Sequence, residues 1–464
     1  MNQILDYTLK VGLEIHVYPR IENRRKLFCN CIIDVNAKPN TNICPVCTGQ
    51  PGSKPMLPNK EALIKTLAIA KIFGAENNSA PAFQRKHYSW PDLPSGYQRT
   101  MSGSYSWPVG YGGEFKGIRL KQVHLEEDPA KWDPETGKVD YNRSGTPLIE
   151  IVTEPDFNSP DKVKEWLHDI RLALDYADCF DERFGIKADV NVSISPEYER
   201  VEIKNINSFS AIYDAILYEY KRQAEEKQAG NKIPQQTMTW TGSETVMMRE
   251  KETAVDYKFI PEQDLPIVKV DETMIKEAER LSQNNPSEVR NQLSASGISD
   301  EDAAILYESP IIADYALSLI AGKVSGEFAG KFIRQQMLRV INYAQAHPRD
   351  FAGSQRSVLE AARLYNDSKI SDKVLKQIME KLMIEDFEVE KYVKDNNLSM
   401  VSDDYFLEGL AMETIKENPN AVSDYKSGKI EVANFLAGQV MRKSKGKADI
   451  KKAKEMIIRI IEQN

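Results

Sequence analysis

The chain has 464 residues, with 61 Lys/Arg against 69 Asp/Glu and a net charge of −8. That length accommodates roughly two to four domains, and 41% apolar with 28% charged residues excludes a disordered chain. No apolar run approaches the roughly 18 residues of a membrane span. The opening Met-Asn-Gln-Ile-Leu-Asp-Tyr lacks the basic-then-apolar order of an export signal, so a cytoplasmic protein with no membrane partner is expected.

The acidic balance argues against a general nucleic-acid coat but leaves room for a local basic patch. Residues 426–464 carry a local +6, directly after a local −7 over 381–425. Two solvated helix faces account for this reversal, and so does a basic terminal module that touches a polyanion. Punctuation is uneven as well. The first 160 residues hold 12 of the 24 Gly and 15 of the 23 Pro. Strands and ordered loops are therefore expected first, and helices after about residue 290.

Taken in chain order, residues 10–18 alternate with period two, a strand. Residues 59–73 read as a helix with Asn59 as N-cap and Gly74 as stop. Residues 160–178 form a second helix, capped by Ser159, with Pro160 first and Val163, Trp166, Leu167, Ile170 and Leu174 on one stripe. Residues 187–195 alternate Asp189, Asn191, Ser193 and Ser195 against Val190, Val192 and Ile194, turn at Pro196, and return over 200–204 as a hairpin. Residues 208–228 are helical, ending near Gly230. A break is expected at 396–404.

Four of the five cysteines sit as Cys29-x-Cys31 and Cys44-x-x-Cys47, twelve residues apart. Paired thiolates at such spacings suit a tetrahedral structural zinc. Four reduced thiols without metal are the plain alternative, and disulfides do not fit the expected compartment. Cys179 reads as core. Glu14 and His16 project from one face of their strand. The run His124-Leu-Glu-Glu-Asp128 splits by alternation, Glu127 to one face and Glu126 with Asp128 to the other. Glu150 interrupts an apolar stretch, where an unpaired carboxylate is costly. Carboxylates with imidazoles on strands fit a Mg²⁺ or Mn²⁺ site, and equally an ordinary ion-paired sheet face. His168 and His347 read as incidental. There is no phosphate-loop motif and no dinucleotide fingerprint. Gly322, Gly326 and Gly330 have the spacing of close helix packing. No activated nucleophile for glutamine hydrolysis is apparent.

In chain order these motifs are Val11-Gly-Leu-Glu-Ile-His-Val17, Pro39-Asn-Thr-Asn-Ile-Cys-Pro-Val-Cys47, Arg85-Lys-His-Tyr-Ser-Trp-Pro-Asp-Leu-Pro-Ser-Gly-Tyr-Gln98, His124-Leu-Glu-Glu-Asp128, Asp140-Tyr-Asn-Arg-Ser-Gly-Thr-Pro-Leu-Ile-Glu150 and Val201-Glu-Ile-Lys-Asn-Ile-Asn-Ser-Phe209. Together they resemble the B-subunit family of aspartyl/glutamyl-tRNA amidotransferases, over essentially the whole chain. Asn418–Lys429 and Phe435–Met441 resemble that family's tail domain. The resemblance implies ATP- and Mg²⁺-dependent phosphorylation of the side-chain carboxylate of Asp-tRNA(Asn) or Glu-tRNA(Gln). Amidation follows, by ammonia channelled from the amidase (the A-type partner of the complex), with a C-type partner fastening the two. Misacylated tRNA is the implied substrate.

Carried over residue by residue, the resemblance assigns Mg²⁺ to Glu14, His16, Glu127 and Glu150, and a second divalent ion to Asp189. Lys86 joins the catalytic set, and Arg143 and Lys204 the binding of ATP or the tRNA end. Zn²⁺ falls to Cys29, Cys31, Cys44 and Cys47. The segment Phe184–Asp189 departs from the commoner family pattern. The Glu-tRNA-specific sister family carries an extra domain of about 100 residues, for which the stretch from Asp256 to residue 290 has no room. The expected architecture is α+β. A catalytic domain at 1–290 surrounds an antiparallel sheet with flanking helices, an all-α domain follows at 291–400, and a tRNA-binding helical tail spans 401–464. The alternative reading is a non-catalytic zinc-containing tRNA-binding protein of the same or a related complex.

Overall fold

The structure, a computed structural model, describes residues 7–88, 90–250, 258–400, 404–444 and 448–463. Residues 401–403 of the expected break, the first six residues, Asp256, and Lys445 and Lys447 of the basic stretch lie outside the described residues.

The chain divides into two compact units, one ending at Asn285 and one beginning at Pro286. The first is built on a large sheet. Its main strands are β1 (Leu9–Val17), β2 (Gln84–His87), β3 (Tyr97–Thr100), β4 (Ile118–Glu127), β5 (Pro147–Thr153), β6 (Lys187–Ile194), β7 (Val201–Ile206), β8 (Gln236–Trp240), β9 (Thr245–Glu250) and β10 (Lys258–Pro261). They lie in the order β9-β8-β7-β6-β1-β5-β4-β3-β2-β10. Each neighbouring pair is antiparallel except β7 and β8, which run parallel. A parallel pair needs a crossover, and helix α3 (Phe209–Gln228) supplies it.

Strict alternation places one set of side chains in the core. Val11, Leu13, Ile15 and Val17 of β1, Val123 and Leu125 of β4, Ile149 and Ile151 of β5, and Val190, Val192 and Ile194 of β6 are all buried. Helices α1 (Lys60–Ile72) and α2 (Pro160–Tyr176) bring Leu63, Leu67, Trp166, Leu167 and Ile170 into the same core. Full burial of each such side chain contributes about 1.5–3 kcal/mol. The caps follow the sequence signals. Asn59 accepts from the amides of Glu61 and Ala62, and Ser159 and Ser208 accept from those of Lys162 and Ala211. Helix α2 stops two residues short of the expected end, because Ala177 already leaves helical geometry and Asp178 takes φ 51°.

The second unit is helical and holds two cores. One is centred on Leu306, Ala316, Ile333, Met337, Leu375 and Ile378, the other on Leu407, Leu436, Val440, Ile457 and Ile461. Close packing explains Gly326 and Gly330. A Cβ on Gly326 would fall 2.1 Å from the Ser296 carbonyl oxygen, and one on Gly330 would fall 2.9 Å from Ile298. Among the described residues no helix is long and apolar enough to cross a membrane.

Candidate active site and cysteine cluster

The polar face of the sheet carries the charge. Register sets Lys187, His16, Glu150 and His124 in one row across β6, β1, β5 and β4. Asp189 and Glu14 are opposite each other one step along. Asn191 faces Glu202 of β7, and Leu148 faces Glu126 of β4. Of these, Lys187, His16, Glu150, Asp189, Glu14, Leu148 and Glu126 line a cleft of about 500 Å³, together with Tyr18, Lys86, Asp92, Gln98, Asp128, Arg143 and Lys204.

Two groups of ligand atoms stand out, each within 4.8 Å of one another: His16, Glu126 and Glu150, and Glu14, Asp189 and Glu202. In the first, His16 Nε2 and His124 Nε2 each lie 3.6 Å from Glu150 Oε2, and His124 Nε2 lies 3.7 Å from Glu126 Oε2. Ligands around a hard cation with bonds of about 2.1 Å are roughly 3 to 4 Å apart, so the spacing fits. Among the described residues, the buried His124 Nε2 makes no hydrogen bond and lies against Glu126 and Glu150. Electrostatics couple these groups. Burial opposes the charged form of His16, yet the Glu150 carboxylate outweighs it and raises the imidazole to about 9. Burial likewise pushes against the Glu150 carboxylate, but His124 and His16 hold it below the usual range.

In the second group, burial raises the Glu14 carboxyl, and Glu150, Glu202 and Asp189 add to it. Lys204 compensates, 2.7 Å from Asp189 Oδ2 and 3.3 Å from Glu202 Oε1. Asn191 donates to Glu14 Oε1 at 3.0 Å.

The structure thus brings Glu14, His16, Glu150, Lys86, Arg143, Asp189 and Lys204 to one cleft. Glu127 is the exception. It points to the opposite face, where its carboxylate lies 3.2 Å from Arg99 Nη1 and accepts from the Arg99 amide at 2.9 Å. Burial raises its carboxyl against the pull of Arg99. Arg99 also pairs at 3.0 Å with Glu262, which is bound in turn by Arg85. The place expected for Glu127 beside His16 and Glu150 is held by Glu126, because an extended strand alternates its faces. Glu202, which lies with Glu14 and Asp189, and Lys187, which lines the cleft, are given no role by the sequence pattern. Their parity with His16 and Asp189 across paired strands is the available signal.

Away from this cleft, all five cysteines are free thiols, and the four paired ones cluster. Cys47 Sγ lies 4.0 Å from Cys31 Sγ and 3.9 Å from Cys44 Sγ. Four sulfurs at about 2.3 Å from one zinc are separated by about 3.8 Å, so the residues fit the ion. The hydrogen bond between Cys29 and Cys47 lowers the Cys47 thiol and raises that of Cys29, and burial raises Cys31.

Residues 9–276 match the family described as the GatB/GatE catalytic domain, and residues 314–461 match the GatB domain. Among similar proteins is the B subunit of the aspartyl/glutamyl-tRNA(Asn/Gln) amidotransferase of Methanocaldococcus jannaschii, 39% identical over 97% of this chain and 98% of its own. Its counterpart in Methanothermobacter thermautotrophicus is 40% identical over 97% and 99%, and that of Methanopyrus kandleri 39% over 95% and 96%. The chain belongs to the family of aspartyl/glutamyl-tRNA amidotransferase B subunits.

Proposed function

We propose that this chain is the component that activates and amidates the side chain of a misacylated tRNA. In this reading a side-chain carboxylate oxygen of Asp-tRNA(Asn) or Glu-tRNA(Gln) displaces ADP from the γ-phosphorus of ATP. Ammonia then adds at the carbonyl carbon and expels phosphate, and the nitrogen loses a proton. A carboxylate is a poor electrophile, and the phosphoryl group supplies the leaving group it lacks.

The observation that carries the reading is the convergence of two ligand groups and several cations on one cleft. His16, Glu126 and Glu150 would hold one divalent cation, and Glu14, Asp189 and Glu202 another. Bound there, such cations would neutralise charge on a transferring phosphoryl group. Lys86, Arg143, Lys187 and Lys204 offset the negative charge of ATP and the carboxylate. Arg143 is oriented by donating to the carbonyls of Pro129 and Ala130 at 2.9 and 2.6 Å. Ammonia would come from a partner amidase, held in place by the third, C-type component of the complex. The cysteine cluster is a structural zinc site, and the basic end of the tail contacts tRNA.

Trapping tests the reading. With Asp-tRNA(Asn) or Glu-tRNA(Gln), ATP and Mg²⁺ but no ammonia, hydroxylamine should capture the activated carboxyl as a hydroxamate, with phosphate released in equal amount. ATP turnover that does not depend on the aminoacyl group would favour a protein that only binds tRNA.

A further inference from the structure

The zinc cluster and the cleft are joined by a short chain of contacts, and nothing in the chemistry above uses it. The loop between the two cysteine pairs is stitched to the segment that carries Arg143. The Asn40 amide donates to Asp140 Oδ1 at 3.0 Å, and its side chain donates to the Val139 carbonyl at 2.9 Å. The Tyr141 amide donates back to Asn40 Oδ1 at 2.7 Å. The Asn42 amide donates to Asn142 Oδ1 at 2.9 Å, and Asn142 Nδ2 donates to the Lys38 carbonyl at 2.7 Å.

Inside this seam, the buried Lys26 donates to the Tyr141 carbonyl at 3.1 Å, and the Leu27 amide donates to the Gly145 carbonyl at 2.8 Å. Gly145 lies so near the cluster that an added Cβ would sit 3.8 Å from Cys47 Cβ. Residues 139–145 have little regular structure of their own, a two-residue strand at Val139–Asp140 and then turns. Their conformation is set from outside, by the cysteine loop on one side and by residues 128–133 on the other, where Val139–Asp140 pairs with Lys131–Trp132, the Gly145 amide donates to the Asp128 carbonyl at 2.9 Å and the Arg143 side chain donates to the Pro129 and Ala130 carbonyls. That loop in turn has no helix or strand over 34–58, so a four-thiolate ion is what would fix it.

We infer that Asn40, Asn42 and Asn142 are positioning residues through which the zinc loop holds Arg143 in the cleft. The inference rests on the proposed role of Arg143 in binding the anionic substrates there. Asn40 is suited to the task, since it takes φ 59°, a conformation asparagine tolerates better than most residues.

The test uses the full chain co-expressed with its partner proteins, supplied with ammonium chloride. Asn40→Gly removes the side chain while leaving the backbone at ease, and Asn142→Ala and Arg143→Ala complete the set. Hydrogen exchange should quicken over residues 139–145 in Asn40→Gly, most at the Tyr141 amide, and likewise when zinc is stripped by a chelator. The KM for ATP should rise by about fivefold, the equivalent of one typical hydrogen bond, with kcat within about twofold. Asn40→Gly should add nothing further on top of Arg143→Ala, which a general structural defect would not reproduce. Unchanged exchange at 139–145, or effects that multiply in the double variant, would overturn the inference. Arg143→Ala with normal KM and kcat would instead overturn the functional reading it rests on. If zinc removal unfolds the chain, Asn40→Gly with its full zinc content carries the test.

Discussion

Two adjacent glutamates should give opposite phenotypes. Glu127 accepts the Arg99 amide at 2.9 Å and lies 3.2 Å from its guanidinium, with both side chains nearly buried. Glu127→Ala leaves Arg99 with one carboxylate, Glu262 at 3.0 Å, in place of two. Breaking a buried pair from one side typically costs about 3–5 kcal/mol, and the surviving Glu262 contact places this case near the lower end. For a unit of this size that corresponds to a fall in Tm of about 6–10 °C. Binding of Mn²⁺, followed by electron paramagnetic resonance, should be close to that of the unchanged protein. Glu126→Gln should do the reverse, with a near-normal Tm and Mn²⁺ affinity weaker by more than about tenfold, the least that even an outer-shell partner of a metal ligand typically costs. If Glu127→Ala melts normally but loses Mn²⁺ while Glu126→Gln binds it, the face assignment of this strand is refuted.

Three further outcomes follow from the geometry. Cys47→Ser should abolish zinc, measured as metal per chain by emission spectrometry, and a full zinc complement in that variant would refute the four-thiolate site. Lys204→Met leaves Glu14, Asp189 and Glu202 facing one another. It should cost about 2 kcal/mol, the buried-pair value discounted for partial exposure, and Mg²⁺ should raise its Tm more than that of the parent; equal Mg²⁺ responses would count against a cation site there. Gly49→Ala places a Cβ 2.5 Å from the Pro94 backbone at a residue with φ +64°. A loss of about 1–3 kcal/mol is expected in a denaturant titration, and a neutral result would show that the contact relaxes freely.

Much of this is legible in the chain itself. The caps Asn59, Ser159 and Ser208 mark their helices by short-range chemistry, and period-two alternation fixes which side of β1 and β6 faces the core. The cysteine spacing names its own cluster. Glu126 is also readable, since it shares parity with His124. The family resemblance points to Glu127 instead, which alternation turns to the other face, beside Arg99. What the sequence hides depends on distant partners. Arg99 and Glu262 are separated by more than half of the first unit and meet only because β3, β2 and β10 are neighbours. Glu202 joins Glu14 and Asp189 through strand register, which local pattern does not specify. The parallel β7–β8 pair likewise follows from the way α3 folds back, and the hairpin pattern beside it gives no sign of this.

The most direct test of the central claim is ammonia-driven amidation of Asp-tRNA(Asn) and Glu-tRNA(Gln) by the co-expressed complex, comparing the unchanged chain with Glu150→Ala. Glu150 is the carboxylate nearest both His16 and His124. The account predicts amide product that requires ATP and Mg²⁺ and is lost in Glu150→Ala while tRNA affinity is retained. Full amidation by Glu150→Ala, or no product from an unchanged complex that binds the tRNA, would contradict it.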